Sequence, residues 1–141
     1  MLDIIKEAAI NFCTHQIGMK CEIKDTKTNM RTLIAYIDIQ TQDGTKYKVY
    51  IASDTNFMQR IAKLFLEENE SDEDTLKDMT LEITNIIVGS AKIIAQETGI
   101  YYNIGTPHFE KIGIFDFKYD DLKVIYIEDD ELIVAIKELD A

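Results

Sequence analysis

The chain has 141 residues, 46% of them hydrophobic, and a formal net charge of −11. That length suits one domain able to bury a sizeable core, and one Pro, six Gly and no low-complexity run argue against extended disorder. So acidic a chain is a poor match for nucleic-acid phosphates or for anionic lipid, because both call for clustered Lys and Arg.

The first residues, Met1-Leu2-Asp3-Ile4-Ile5-Lys6-Glu7, carry acidic groups too early for a signal peptide and lack an uninterrupted apolar region. No window reaches the apolar length of a membrane span. Cys13 and Cys21 form no CxxC, and with His15 and His108 they make no convincing metal set. The expectation is two reduced, packed thiols in a cytoplasmic protein that carries no metal.

Leu2, Ile5, Ala9, Phe12 and Cys13 recur at helical spacing and predict an amphipathic helix from Leu2 to Ile17, ended by Gly18. His15 near its end suits the helix dipole as a structural or surface residue. Cys21 to Lys24 is a short strand. Thr32 to Thr41 is a longer one, with Leu33, Ala35, Ile37 and Ile39 alternating with Ile34, Tyr36, Asp38 and Gln40. Asp43-Gly44 marks a hairpin turn, and Tyr47 to Ala52 returns as the partner strand.

Ser53 or Asp54 caps the next helix, whose apolar face is Phe57, Met58, Ile61, Leu64 and Phe65. The acidic run 67–74 reads as a solvated link, and Asp72 to Asp74 suit the N-terminus of the helix that follows. That helix is the longest pattern in the chain, from roughly Thr75 to Thr98, with Gly99 as its stop. With Glu82 as zero and about 100° per residue, Asp78, Asn85, Gly89, Lys92 and Gln96 fall within about 80° on one side. Met79, Ile83, Ile86, Ile87, Ser90, Ala91, Ile93 and Ile94 form a broad arc opposite or adjacent.

Beyond it come Ile100 to Ile104 and a turn or strand entry at Gly105-Thr106-Pro107-His108. Three strands follow: Ile112 to Phe117, Leu122 to Ile127 and Leu132 to Ile136. The last third reads as an antiparallel meander. Strands and helices in this order indicate an α+β fold rather than a doubly wound one. There is no glycine-rich phosphate loop, no GxSxG, and no Cys/His pairing suited to nucleophilic catalysis.

The polar stripe on the long helix is either chemistry or solvated surface. Gly89 is the residue that asks for an explanation, since glycine inside a helix costs about 1 kcal/mol relative to alanine. It serves either the approach of another backbone beside Asn85 or packing against a neighbouring strand of the same domain.

Asp78, Glu82, Asn85 and then Pro107, after 21 intervening residues, resemble the signature of the CheC/CheX/FliY phosphatases of bacterial chemotaxis. That signature is Asp or Ser, three residues, Glu, two residues, Asn, about 22 residues, Pro; the last spacing here is one residue short. Only one such motif is present, because Asn11 and Asn56 lack a Glu at the right distance. A single motif points to a CheX-like member, with residues 1–141 as one CheX-like domain.

The resemblance implies a largely antiparallel sheet packed against the long motif-bearing helix plus two further helices. It implies a cytoplasmic protein phosphatase acting on the phospho-aspartate of a CheY-like receiver domain. Asn85 would position the attacking water and Glu82 would dock to a receiver lysine; these two are the catalytic candidates. Gly89 would clear space and Asp78 would be a peripheral contact or helix support; these two are the substrate-binding candidates. No cofactor of the protein's own is implied, since the receiver brings Mg²⁺. A homodimer is implied, with Ile112 to Phe117 or Leu122 to Ile127 pairing across a two-fold axis. The alternative is a non-catalytic receiver-binding or dimeric structural module of the chemotaxis or flagellar apparatus.

Overall fold

The computed structural model describes residues 1–18 and 20–139. Helix α1 runs over Leu2–Asn11 and continues as a wider π-helical turn, Phe12–Ile17. The strands are β1 (Glu22–Lys24), β2 (Arg31–Thr41), β3 (Lys46–Asp54), β4 (Tyr102–Ile104), β5 (His108–Ile114), β6 (Asp121–Ile127) and β7 (Asp130–Leu139). Helix α2 (Thr55–Leu66) follows β3 directly, and α3 (Glu73–Glu97) follows α2 after the link 67–72.

All seven strands form one antiparallel sheet in the order β1-β6-β7-β3-β2, with β4 and β5 sharing the outer edge of β2. The alternation expected of β2 is present. Leu33, Ile37 and Ile39 join Val49, Ile51, Val134 and Ile136 under the helices. Ile34 joins Tyr50, Ala52, Ile133 and Ala135 on the opposite face. The β2–β3 hairpin closes at Gly44, whose φ of 90° only glycine adopts freely. Asp43 supports the turn by accepting bonds from the Thr41 hydroxyl and the Thr45 amide.

The last third is not a continuous meander. Only β6 and β7 form a hairpin, while β4 and β5 pair with β2 on the far edge. Between them Gly105 donates its amide to the Asp38 carbonyl at 2.8 Å. A Cβ there would stand 3.2 Å from that same oxygen, a tight contact that glycine avoids. Pro107 precedes β5 on an edge, where its missing N–H removes no ladder bond.

Ile112 to Phe117 is likewise not one strand. β5 stops at Ile114, and Phe115 and Phe117 fold over the sheet face opposite the helices. There the Phe117 ring stacks on Tyr50 at 5.2 Å and Phe115 meets Tyr50 edge-on at 5.3 Å. Burying two aromatic rings on an otherwise open sheet face outweighs two more ladder positions. The second candidate dimer strand, Leu122 to Ile127, lies within β6, which has β7 on one side and β1 against residues 124–126 on the other. One of its edges is therefore taken by β7 and half of the other by β1.

Candidate active site

Helix α3 is positioned from both ends. Asp72 is its N-cap, accepting the Thr75 amide at 2.8 Å, and Glu73 and Asp74 lie in the first turn, where carboxylates complement the helix dipole. Gly99, with φ of 84°, turns the chain away at the other end. The buried face is Leu76, Met79, Thr80, Ile83, Thr84, Ile87, Val88, Ala91 and Ala95. Two buried threonines interrupt the apolar pattern without stranding a hydroxyl. Thr80 donates to the Leu76 carbonyl and Thr84 to the Thr80 carbonyl, each at 2.8 Å. From β4, the buried Tyr102 hydroxyl donates to the Val88 carbonyl at 2.8 Å and fastens the helix next to Gly89. Burial pushes the Tyr102 phenol well above its ordinary range, so it stays a donor.

On the opposite side the sequence-predicted stripe is brought together as one face. Asp78, Glu82 and Asn85 are all exposed, and Gly89 is half-buried on the same side. Glu82 and Asn85 are one turn apart, about 4.5 Å of helix rise. Among the described residues no hydrogen bond or ion pair engages Asp78, Glu82 or Asn85. Their donors and acceptors face solvent on a rigid support.

Gly89 is the clearest gain over the sequence. Nothing lies within 4 Å of a Cβ built on it, so packing against a strand of the same domain does not explain it. The bare backbone faces open space. Pro107 lies at the strand entry before β5, and β5 flanks the first turns of α3, where the Lys77 ammonium sits 5.5 Å over the Phe109 ring.

Ile93 corrects the expected apolar arc. It is 63% exposed, the largest share among the exposed large hydrophobic side chains, and it stands with the polar stripe. The signal was available in the numbering, since eleven residues separate it from Glu82 and place it only about 20° away. Leu64 and Phe65 were expected on the buried face of α2 and are exposed as well, at 52% and 39%. They occupy its last turn, where the Phe65 ring meets the Phe12 ring edge-on at 6.3 Å.

A second group of carboxyls is buried elsewhere and was not anticipated. Of the two cap candidates Asp54 is the N-cap of α2, accepting the Phe57 amide at 3.1 Å. Burial, followed by its hydrogen bond to Asp130, pushes its carboxyl up to about 7. Arg60 holds Asp130 at 2.7 Å and Glu128 at 2.9 Å. Glu131, fully buried, accepts the Thr28 hydroxyl at 3.0 Å. Cys13 and Cys21 are free thiols, and burial pushes Cys13 up to about 12, which leaves it unreactive near neutrality. Among the described residues no three His, Cys, Asp or Glu side chains group as metal ligands, and no helix is long and apolar enough to cross a membrane.

Comparison with solved structures defines the class. The fold matches CheX from Vibrio vulnificus with a TM-score of 0.83 at 16% identity, covering 97% of this chain and 95% of that one. It matches a CheC-like chemotactic protein from Shewanella oneidensis with a TM-score of 0.77 at 15% identity, covering 97% and 96%. It matches CheX in the CheX–CheY–BeF3–Mg²⁺ complex from Borrelia burgdorferi with a TM-score of 0.69 at 16% identity, covering 97% of each chain. These are α+β folds of the CheC/CheX type. No match is found among curated protein sequences. The model of the family described as chemotaxis phosphatase CheX matches residues 35–119, and the chain belongs to that family.

Proposed function

We propose that the chain hydrolyses the phospho-aspartate of a CheY-like receiver domain, with Asn85 positioning the water and Glu82 pairing with a receiver lysine. One observation carries this reading. Glu82 and Asn85 stand exposed, adjacent and without partners among the described residues on the longest helix, beside a glycine that leaves room for a partner. The complex of the Borrelia burgdorferi relative contains CheY with BeF3 and Mg²⁺, which supports a receiver as the partner here.

The chemistry asks little of the protein. In an acyl phosphate the aspartate carboxylate is already a good leaving group, so neither a nucleophilic side chain nor a general acid is required. The receiver's Mg²⁺ neutralises phosphoryl oxygens and belongs to the substrate. Water attacks phosphorus, the bond from phosphorus to the aspartyl oxygen breaks, and inorganic phosphate and free carboxylate result. Asn85 has both a donor and an acceptor, so it can orient that water in line. Holding the water is the contribution positioning makes in phosphoryl transfer. Glu82, one turn away, sets the register of the helix on the receiver. Gly89 clears the approach, and Asp78 makes a peripheral contact.

The test is phosphate loss from a phosphorylated receiver. Asn85→Ala should abolish the acceleration with the fold intact, and Glu82→Ala should weaken it through docking. An Asn85→Ala protein of undiminished activity would refute the mechanism, leaving a receiver-binding module. A homodimer through the free edge of β5, where Ile114 is exposed, belongs to the same reading. Sedimentation in solution checks it, and a monomer at working concentration would count against it.

A further inference from the structure

A single exposed apolar residue is ordinary on a protein surface, but Ile93 does not occupy an ordinary place. It sits inside α3, not at a frayed end, with helix continuing to Glu97. It lies about 20° from Glu82 and about 40° from Gly89 around the helix. Gly89, one turn before it, has open space where a side chain would be. The face therefore reads, in order, a carboxylate, a carboxamide, a gap and an exposed isoleucine. Beside Ile93, Lys92 and Gln96 border a polar cleft of about 250 Å³ shared with Tyr101 and Asn103. An apolar side chain ringed by polar ones is the usual local anatomy of a binding anchor.

Geometry says what would cover it. α3 extends twelve residues on each side of Asn85. A partner domain of roughly 100 residues has a radius of gyration of about 13 Å. With its phosphoryl site on Asn85, such a partner must also lie along the flanking turns. Ile93 is about 12 Å along the axis from Asn85, within that footprint.

We infer that Ile93 is a specificity-determining anchor of the receiver complex, buried against an apolar side chain that the receiver presents roughly 12 Å from its phosphorylated aspartate. This rests on the reading of Glu82 and Asn85 given above. Ile93 touches no reacting atom. It strengthens binding of receivers that carry the apolar partner and discriminates against those with a polar or charged residue there.

The experiment measures KM and kcat for a phosphorylated CheY-like receiver, and Kd for the same receiver loaded with beryllofluoride and Mg²⁺. Ile93→Asp should raise KM and Kd roughly 10- to 100-fold, the worth of burying one such side chain, with kcat and the unfolding midpoint unchanged. Ile93→Val should restore most of the affinity. Leu64→Asp, which adds the same charge at an exposed apolar site on α2, should leave KM and Kd unchanged. Unchanged KM and Kd in Ile93→Asp, beside an inactive Asn85→Ala, would overturn the inference and leave the catalytic reading standing. So would equal weakening by Leu64→Asp, or a loss confined to kcat. Full activity in Asn85→Ala would overturn the catalytic reading itself, and the anchor's role in the reaction with it.

Discussion

Asp54, Asp130 and Glu131 are buried carboxyls engaged by Arg60, Thr28 and the first turn of α2, whereas Asp78 and Glu82 stand on α3 without a partner among the described residues. Strongly shifted ionisable groups often mark functional sites. Among the carboxyls the strongly shifted one is Asp54, and every bond that explains it lies inside the domain. It closes a helix end against the sheet. The stripe has its hydrogen-bonding capacity unused, as a surface meant to meet another molecule would. In this domain a perturbed carboxyl marks architecture, and an unengaged one on a rigid helix is the better candidate for function.

The comparison can be broken at either group. The largest effect is expected at the stripe. Asn85→Ala should slow receiver dephosphorylation by about 100-fold or more, the scale of a lost positioning contact, while chemical unfolding shows no change beyond about 0.5 kcal/mol. Arg60→Ala should do the reverse. It leaves the buried Asp130 without its cation and should lower the unfolding free energy by about 2 kcal/mol, less than a fully buried pair because Arg60 is partly exposed. The folded fraction of that variant should dephosphorylate the receiver at the wild-type rate.

A smaller and pH-dependent effect is expected at Asp54. A carboxyl whose pKa is higher in the folded chain takes up a proton on folding, so its stabilising contribution is complete below the unfolded value near 4. It is lost as pH rises from there to about 7. Asp54→Asn keeps a competent N-cap and removes the titration. Its stability should therefore fall less steeply than that of the wild type across this window, by at most about 1.4 kcal/mol per pH unit. Equal slopes in urea titrations would show that Asp54 is not the group responsible.

The smallest effect separates stability from docking at one residue. Gly89→Ala adds a methyl group to open space on a regular helix and should stabilise the domain by about 1 kcal/mol. The same methyl should raise KM for the receiver. A variant that is more stable and equally active would remove the role given to Gly89.

Local pattern carried much of this structure. The β2–β3 hairpin was readable from its two-residue alternation and its Asp-Gly turn, and α3 from its 3.6-residue period, capping acids and terminal glycine. The common face of Asp78, Glu82, Asn85 and Gly89 follows from the same period. What the pattern could not carry was pairing at a distance. Nothing local says that β4 and β5 return to β2, or that Phe115 and Phe117 leave the strand to cover Tyr50. Hydropathy also misplaced Ile93, Leu64 and Phe65, because an apolar side chain is buried only where another element reaches it. Conversely, Thr80 and Thr84 are buried although polar, their hydroxyls being satisfied by their own helix. Glu82 and Asn85 were located by the helical period together with the signature spacing to Pro107.

Asn85 is the middle residue of a 25-residue helix, with the Tyr102 hydroxyl bound one turn further on at Val88. Helices open from their ends, so amides around Asn85 belong to the part of α3 that exchanges last. A site placed there exists whenever the domain is folded. No loop has to close and no segment has to order before Glu82 and Asn85 hold their spacing, so association of a partner would cost little backbone entropy on this side. Any waiting in the encounter then falls to the other molecule.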